Sequence, residues 1–159
     1  MENKKIRNAT PSFFGDIKFK SQTEKSVFRY LLTNGYNPMY EPETFVCWKG
    51  FTPTVPFFNR RKVRGKPLYK NVLDLSAISD VTYTPDIIFM YEGIKIIIEV
   101  KGFENDVFPL KKKLFRQHLE TLSYPVVYAE IFTLKQLKEF LSDLKTITNK
   151  ENNGKGTDT

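Results

Sequence analysis

Residues 83 to 102 read YTPDIIFMYEGIKIIIEVKG, two apolar runs joined at Glu92-Gly93 with Asp86, Glu99 and Lys101 set into them. Successive side chains of a strand point to opposite faces. Ile94, Ile96, Ile98 and Val100 therefore line one face, and Lys95, Ile97, Glu99 and Lys101 the other. In the preceding run Pro85, Ile87, Phe89 and Tyr91 form one apolar set, alternating with Thr84, Asp86, Ile88 and Met90. If both apolar sets share one core, the turn decides the rest. A two-residue turn at Glu92-Gly93, or a four-residue loop from Tyr91 to Ile94, sets Met90 opposite Lys95 and Asp86 opposite Glu99. A three-residue loop throws the apolar sets onto opposite faces, a slip that burial opposes unless a bulge restores the register. Patterning alone thus places two carboxylates side by side, with Lys101 further along the same face.

Directly opposed like charges cost a sheet up to about 1 kcal/mol when exposed, and more when partly buried. A divalent metal offsets the repulsion, since Mg²⁺ takes carboxylate oxygens at about 2.0–2.1 Å and keeps several waters for chemistry. A lysine beside it can orient or deprotonate a water, or stabilise charge developing on a phosphorane. The alternative is a solvated surface face, with Lys95, Glu99 and Lys101 in water and Asp86 merely the residue after a proline.

Pro85-Asp86, a hairpin, then Glu99-Val100-Lys101 resembles the PD-(D/E)xK nuclease superfamily. Tyr83-Thr84-Pro85-Asp86 before one apolar strand and Glu99-Val100-Lys101-Gly102 after the next are similar to the phage Holliday-junction-resolving endonucleases and related small phage and transposon nucleases. The resemblance spans roughly residues 18 to 132. It implies an α/β fold with a restriction-endonuclease-like core, a central mixed β-sheet with helices on both faces. It also implies hydrolysis of DNA phosphodiester bonds with Mg²⁺ or Mn²⁺. Asp86 and Glu99 would hold the metal, the Val100 carbonyl would add a ligand, and Lys101 would assist the attacking water. Branched DNA as substrate and action as a homodimer follow from the same likeness. These nucleases also carry a glutamate in the helix before the sheet, matched here by Glu24 in FKSQTEKSVFRYLL. Glu24 shares the stripe of Val27, Phe28 and Leu31 and is a candidate ligand. Ser21-Gln22-Thr23-Glu24 is equally a capping box, in which Glu24 bonds the Ser21 backbone. Two competing readings are a sequence-specific restriction or transposon-type endonuclease and a non-catalytic DNA-binding module with the same fold.

The 159 residues, 40% hydrophobic, suffice for one domain with a core and not for two. That domain is expected over 13–148, between tails at 1–12 and 149–159 that lack apolar periodicity. SQTEKSVFRYLLTNG predicts a helix capped by Ser21 and stopped at Asn34-Gly35, with Val27, Phe28, Leu31 and Leu32 inward. Tyr36 to Trp48, broken by Pro38 and Pro42, predicts an interrupted or edge strand. PLKKKLFRQHLETL predicts a helix with Leu110, Leu114, Leu119 and Leu122 on one side and Lys112, Lys113 and Arg116 on the other. YPVVYAEIF reads as a strand. Thr133 then caps a last helix with Leu134, Leu137, Phe140, Leu141 and Leu144 inward.

Residues 49–81 read as a long loop or a strand-edged insertion, interrupted by Pro53, Pro56 and Pro67. It carries Arg60, Arg61, Lys62, Arg64 and Lys66 behind Phe57 and Phe58, a cluster suited to tracking phosphates. Lys112, Lys113 and Arg116 are placed in the same cleft, the alternative for both clusters being a solvated surface. With 25 Lys+Arg against 18 Asp+Glu, the net charge of +7 favours a polyanionic partner such as DNA. His118 and Cys47 complete neither a zinc set nor a nucleophilic pair. No Gly-rich phosphate loop precedes a Lys-Ser/Thr pair, which argues against an NTPase. One cysteine leaves no internal disulfide, and the sequence has neither a signal-type segment nor an apolar run of about 20 residues. The expectation is a cytoplasmic protein, phage-encoded by its likeness, that spans no membrane.

Overall fold

The fold was analysed in a computed structural model that describes residues 11–66, 68–102 and 108–154. In chain order the elements are β1 (Ser12–Phe14), β2 (Ile17–Phe19), α1 (Gln22–Thr33), β3 (Met39–Tyr40), β4 (Phe45–Trp48), β5 (Phe58–Lys62), β6 (Tyr69–Leu73), β7 (Val81–Tyr83), β8 (Ile87–Tyr91), β9 (Ile94–Val100), α2 (Phe108–Leu119), β10 (Val126–Ile131) and α3 (Leu134–Gly154). The central sheet runs β10-β9-β8-β3. It is mixed: β10 lies parallel to β9, whereas β8 is antiparallel to both β9 and β3.

The register of β8 on β9 is the one the apolar alternation requires. Ile87 pairs with Ile98, Phe89 with Ile96 and Tyr91 with Ile94. Glu92 (φ 48) and Gly93 (φ 79) close the hairpin in two residues, both in the left-handed region that a type I′ turn demands. One sheet face carries Ile87, Phe89, Ile96, Ile98 and Val100 against Val27, Phe28 and Leu31 of α1 and Leu137, Leu141 and Leu144 of α3. The opposite face carries Ile88 and Ile97 against Phe108 and Phe115 of α2, together with Phe45 and Tyr83. Ile87, Ile96, Ile97 and Ile98 are fully buried, each contributing about 1.5–3 kcal/mol of hydrophobic stabilisation. With helices on both faces, the end of the β8–β9 ladder is largely withdrawn from water rather than open surface.

Helix α1 starts and stops as expected: the Ser21 hydroxyl accepts the Glu24 N–H at 3.1 Å, and Gly35 follows the helix with φ 81. Its Leu32 is 44% exposed, so the inward stripe is Val27, Phe28 and Leu31 alone. The orientation of α2 differs from the leucine pattern. Phe108, Phe115 and Leu119 face inward, while Leu110 is 61% exposed. The aromatic rings fill the space against Tyr83 and Phe45 better than leucines could, and this rotation brings Lys112 to the sheet side.

The interrupted strand predicted over Tyr36 to Trp48 divides between two sheets, β3 joining β8 and β4 pairing with β7. The insertion is strand-edged rather than loop: β5 and β6 form a separate hairpin and β7 returns the chain to the site. The β1–β2 hairpin has no counterpart among the expected elements. Thr133 accepts the Gln136 N–H at 3.1 Å, and α3 continues to Gly154, beyond residue 148 where the domain was expected to close. Most of the N-terminal tail and residues 155–159 lie outside the described residues. No helix among the described residues is long and apolar enough to cross a membrane.

Candidate active site

Pro85 ends the chain's approach to the sheet, and Asp86 sits immediately before β8, across from Glu99 near the end of β9. Asp86 is 8% exposed, and its Oδ2 accepts the Val100 N–H at 2.7 Å, closing the ladder with a carboxylate where a backbone carbonyl would otherwise serve. Glu99 is held from two sides. The Lys101 ammonium donates to Oε1 at 2.7 Å and the Tyr83 hydroxyl to Oε2 at 2.6 Å. Lys101 is itself 8% exposed, its Nζ lying over the Phe108 ring and its backbone N–H bonded to the Ile131 carbonyl. Glu99 and Lys101 therefore form an ion pair and Asp86 lies close enough to Glu99 to feel its charge, all three largely withdrawn from water.

Burial, then the charge of Glu99, pushes the Asp86 carboxyl up to about 8. The Val100 N–H acts in the opposite direction, the Glu24 charge adds to the rise, and Lys20 relieves it. Glu24 is a cap in its hydrogen bonding. Oε1 accepts the Ser21 hydroxyl at 2.9 Å, and Oε2 accepts the Lys20 N–H at 3.0 Å and the Tyr40 hydroxyl at 2.6 Å. The backbone donor is thus that of Lys20, one residue before the expected Ser21. Glu24 nevertheless lies near enough to Asp86 for its charge to be felt there.

Several groups at the site were not singled out from the sequence. Tyr83 has its hydroxyl pKa raised by burial and by Glu99, so it stays a proton donor; Tyr128, raised mainly by burial, lies 3.0 Å from it. Glu130 pairs with Glu99 across the parallel β9–β10 ladder and accepts from Lys112 at 2.7 Å. Glu41 adopts φ 44, donates its N–H to the Asp86 carbonyl at 2.8 Å, and pairs with Lys20. Tyr83 was within reach of sequence reasoning as the tyrosine just before Thr84-Pro85-Asp86. Glu130 was not, because its neighbour depends on the register of a crossover strand.

The donor set suits a hard divalent cation: Asp86 and Glu99 offer carboxylate oxygens, the Val100 carbonyl is adjacent in sequence, and negative charge around Asp86 exceeds what Lys20 relieves. Among the described residues no three His, Cys, Asp or Glu side chains form a ready-made cage. Two carboxylates with waters completing the shell are what Mg²⁺ usually takes.

The candidate nucleic-acid contacts separate into free and engaged. Arg60, Arg61, Lys62, Arg64 and Lys66 are exposed on the β5–β6 hairpin, as are Lys113 and Arg116 on α2. Arg61 pairs with Asp74, and Lys112 is committed to Glu130 on the inner side of α2. His118 packs edge-on to the Phe45 ring, and the half-buried Cys47 thiol is pushed up by burial. Compared with protein-family models, curated proteins and solved structures, the chain matches none.

Proposed function

We propose that the chain is a metal-dependent endodeoxyribonuclease of the PD-(D/E)xK type, with a restriction-endonuclease-like core. The observation that carries this reading is the adjacency of Asp86, Glu99 and Lys101 at the end of the β8–β9 ladder, each largely withdrawn from water. Lys101 already pairs with Glu99, but Asp86 stays buried beside Glu99 and Glu24 with only partial relief from Lys20, a cost that a divalent cation would offset. The central order α1, β3, β8, β9, α2, β10 and its mixed sheet accord with the fold that the resemblance implies.

Asp86 and Glu99 would hold Mg²⁺ or Mn²⁺, with the Val100 carbonyl as a further ligand. When bound, such a cation would supply Lewis-acid polarisation of a phosphoryl oxygen and a bound water more acidic than bulk water. Lys101 orients the attacking water and stabilises negative charge developing on the phosphate. Phe108, under the ammonium, keeps bulk water from Lys101 and strengthens its field. Tyr83 fixes the orientation of Glu99 through its hydroxyl. Glu24, its oxygens held by Ser21, Lys20 and Tyr40 as those of Glu99 are held by Lys101 and Tyr83, reaches Asp86 through its charge and remains a candidate further ligand.

The resemblance favours branched DNA cut by a homodimer. A second reading, a duplex endonuclease with a sequence preference, is favoured by the exposed basic hairpin β5–β6. The test is cleavage of supercoiled plasmid, linear duplex and a four-way junction in Mg²⁺ or Mn²⁺, with Asp86→Ala and Lys101→Ala as controls. Metal-dependent cutting lost in both variants is expected. Salt-sensitive DNA binding with no cutting in either metal would leave a DNA-binding module instead.

A further inference from the structure

The β5–β6 hairpin has no core of its own. From Phe57 to Leu73 only Asn59, Val63 and Val72 are half-buried among the described residues, and all others are exposed. A lone two-stranded hairpin is marginal in water. This one also keeps Phe57 and Phe58 at 59% and 65% exposure, the kind of apolar surface that marks a contact site. Its charge indicates the partner. Arg60, Arg61, Lys62, Arg64, Lys66 and Lys70 stand against one carboxylate, Asp74, so a second copy would set cations against cations and a polyanion is favoured.

The register sorts the side chains by face. Phe58 opposite Leu73, Arg60 opposite Asn71 and Lys62 opposite Tyr69 share one face; Asn59 opposite Val72 and Arg61 opposite Lys70 share the other. Asp74 neutralises Arg61, on the second face, whereas the Arg60 guanidinium stacks 4.7 Å from the Tyr69 ring centroid. Tyr69 thus braces Arg60 in an exposed position beside Asn71. Arginine and asparagine are the side chains that read guanine O6/N7 and adenine N6/N7 in the major groove, whose width of about 12 Å admits a two-stranded ribbon. A five-residue strand extends about 17 Å, the length of roughly five base-pair steps.

We propose that the β5–β6 hairpin is a DNA-reading ribbon: its Arg60–Asn71 face enters the major groove of duplex DNA and contacts base edges, while Lys62, Arg64 and Lys66 near the tip contact phosphates. The inference rests on the reading of the chain as a protein that acts on DNA, and it gives that protein a sequence preference over a few base pairs.

The test is selection by the full chain from a randomised duplex pool in chelator, which keeps the DNA intact, followed by titration of selected and scrambled duplexes at several salt concentrations. A short enriched motif is expected. Arg60→Ala and Asn71→Ala should each reduce discrimination between the two duplexes by roughly 5- to 150-fold. Lys66→Ala should weaken both duplexes alike and lower the salt slope by about one, with Lys135→Ala on α3 changing neither. No enriched motif, or a motif untouched by both Arg60→Ala and Asn71→Ala, would overturn the proposal. So would a preference for single-stranded DNA lost in those variants, which would make the hairpin a stacking surface for unpaired bases. The two readings fail separately: motif binding without Mg²⁺-dependent cutting removes the nuclease and leaves the ribbon, and cutting without a motif does the reverse.

Discussion

At the scale of single residues the site is governed by the position of Asp86, a carboxyl buried beside two other carboxylates. Its folded pKa, pushed up to about 8, lies above the value of about 3.9 for an unfolded aspartate. Between these values the folded chain holds a proton that the unfolded chain has released, so stability falls as pH rises through that window. In chelator, the melting temperature of the wild type should therefore drop from pH 5 to pH 8 more steeply than that of Asp86→Asn, and the variant should melt higher at pH 8. Adding Mg²⁺ at pH 8 should recover the difference in the wild type alone. Equal pH profiles for the two proteins would remove Asp86 as the strained group. Tyr83→Phe removes the hydroxyl that holds Glu99 Oε2. It should cost about 1 kcal/mol of stability and weaken Mn²⁺ binding, both measurable by thermal melts across a metal titration.

Among the elements, the β8–β9 hairpin positions the site, and it is also the part of the chain most legible in the sequence. Apolar alternation on two runs separated by Glu92-Gly93 admits few registers once one face must be buried, and burial chose the one that faces Asp86 with Glu99. The turn can be tested directly. Glu92 occupies φ 48, where Asn is better tolerated, so Glu92→Asn should raise stability by about 0.5–1 kcal/mol, and Gly93→Ala at φ 79 should lower it by about 1–2. Equal melting temperatures for the three proteins would contradict the type I′ assignment. In α2 the reading from sequence followed leucines, whereas packing against Tyr83 and Phe45 selected Phe108 and Phe115 and turned Lys112 toward Glu130. Helical periodicity alone cannot choose between apolar stripes that overlap. The β5–β6 pairing was hidden for another reason: its strands mix apolar and charged residues on both faces, so no clean alternation announced them. At Glu24 both sequence readings had a physical basis. The hydrogen bonds belong to the cap while the charge reaches Asp86.

For the whole molecule, the net charge of +7 is unevenly used. The exposed cations of β5–β6 stand on a hairpin with little core, while the buried site at β8–β9 is acidic apart from Lys101. On the proposed reading, a chain built this way would bind a polyanion at one place and a divalent cation at another. Affinity for DNA should fall steeply with salt, whereas occupancy of the metal site should respond far less. Whether Asp86, Glu99 and Lys101 form a metal-dependent cutting site is tested most directly by nicking of supercoiled plasmid in Mg²⁺ by the wild type, Asp86→Asn and Lys101→Met, each first shown to be folded by its thermal melt. The expected result is cutting by the wild type that stops in chelator and falls by ~10²-fold or more in both variants. Cutting by either variant at the wild-type rate, or none by the folded wild type in any divalent metal, would contradict it.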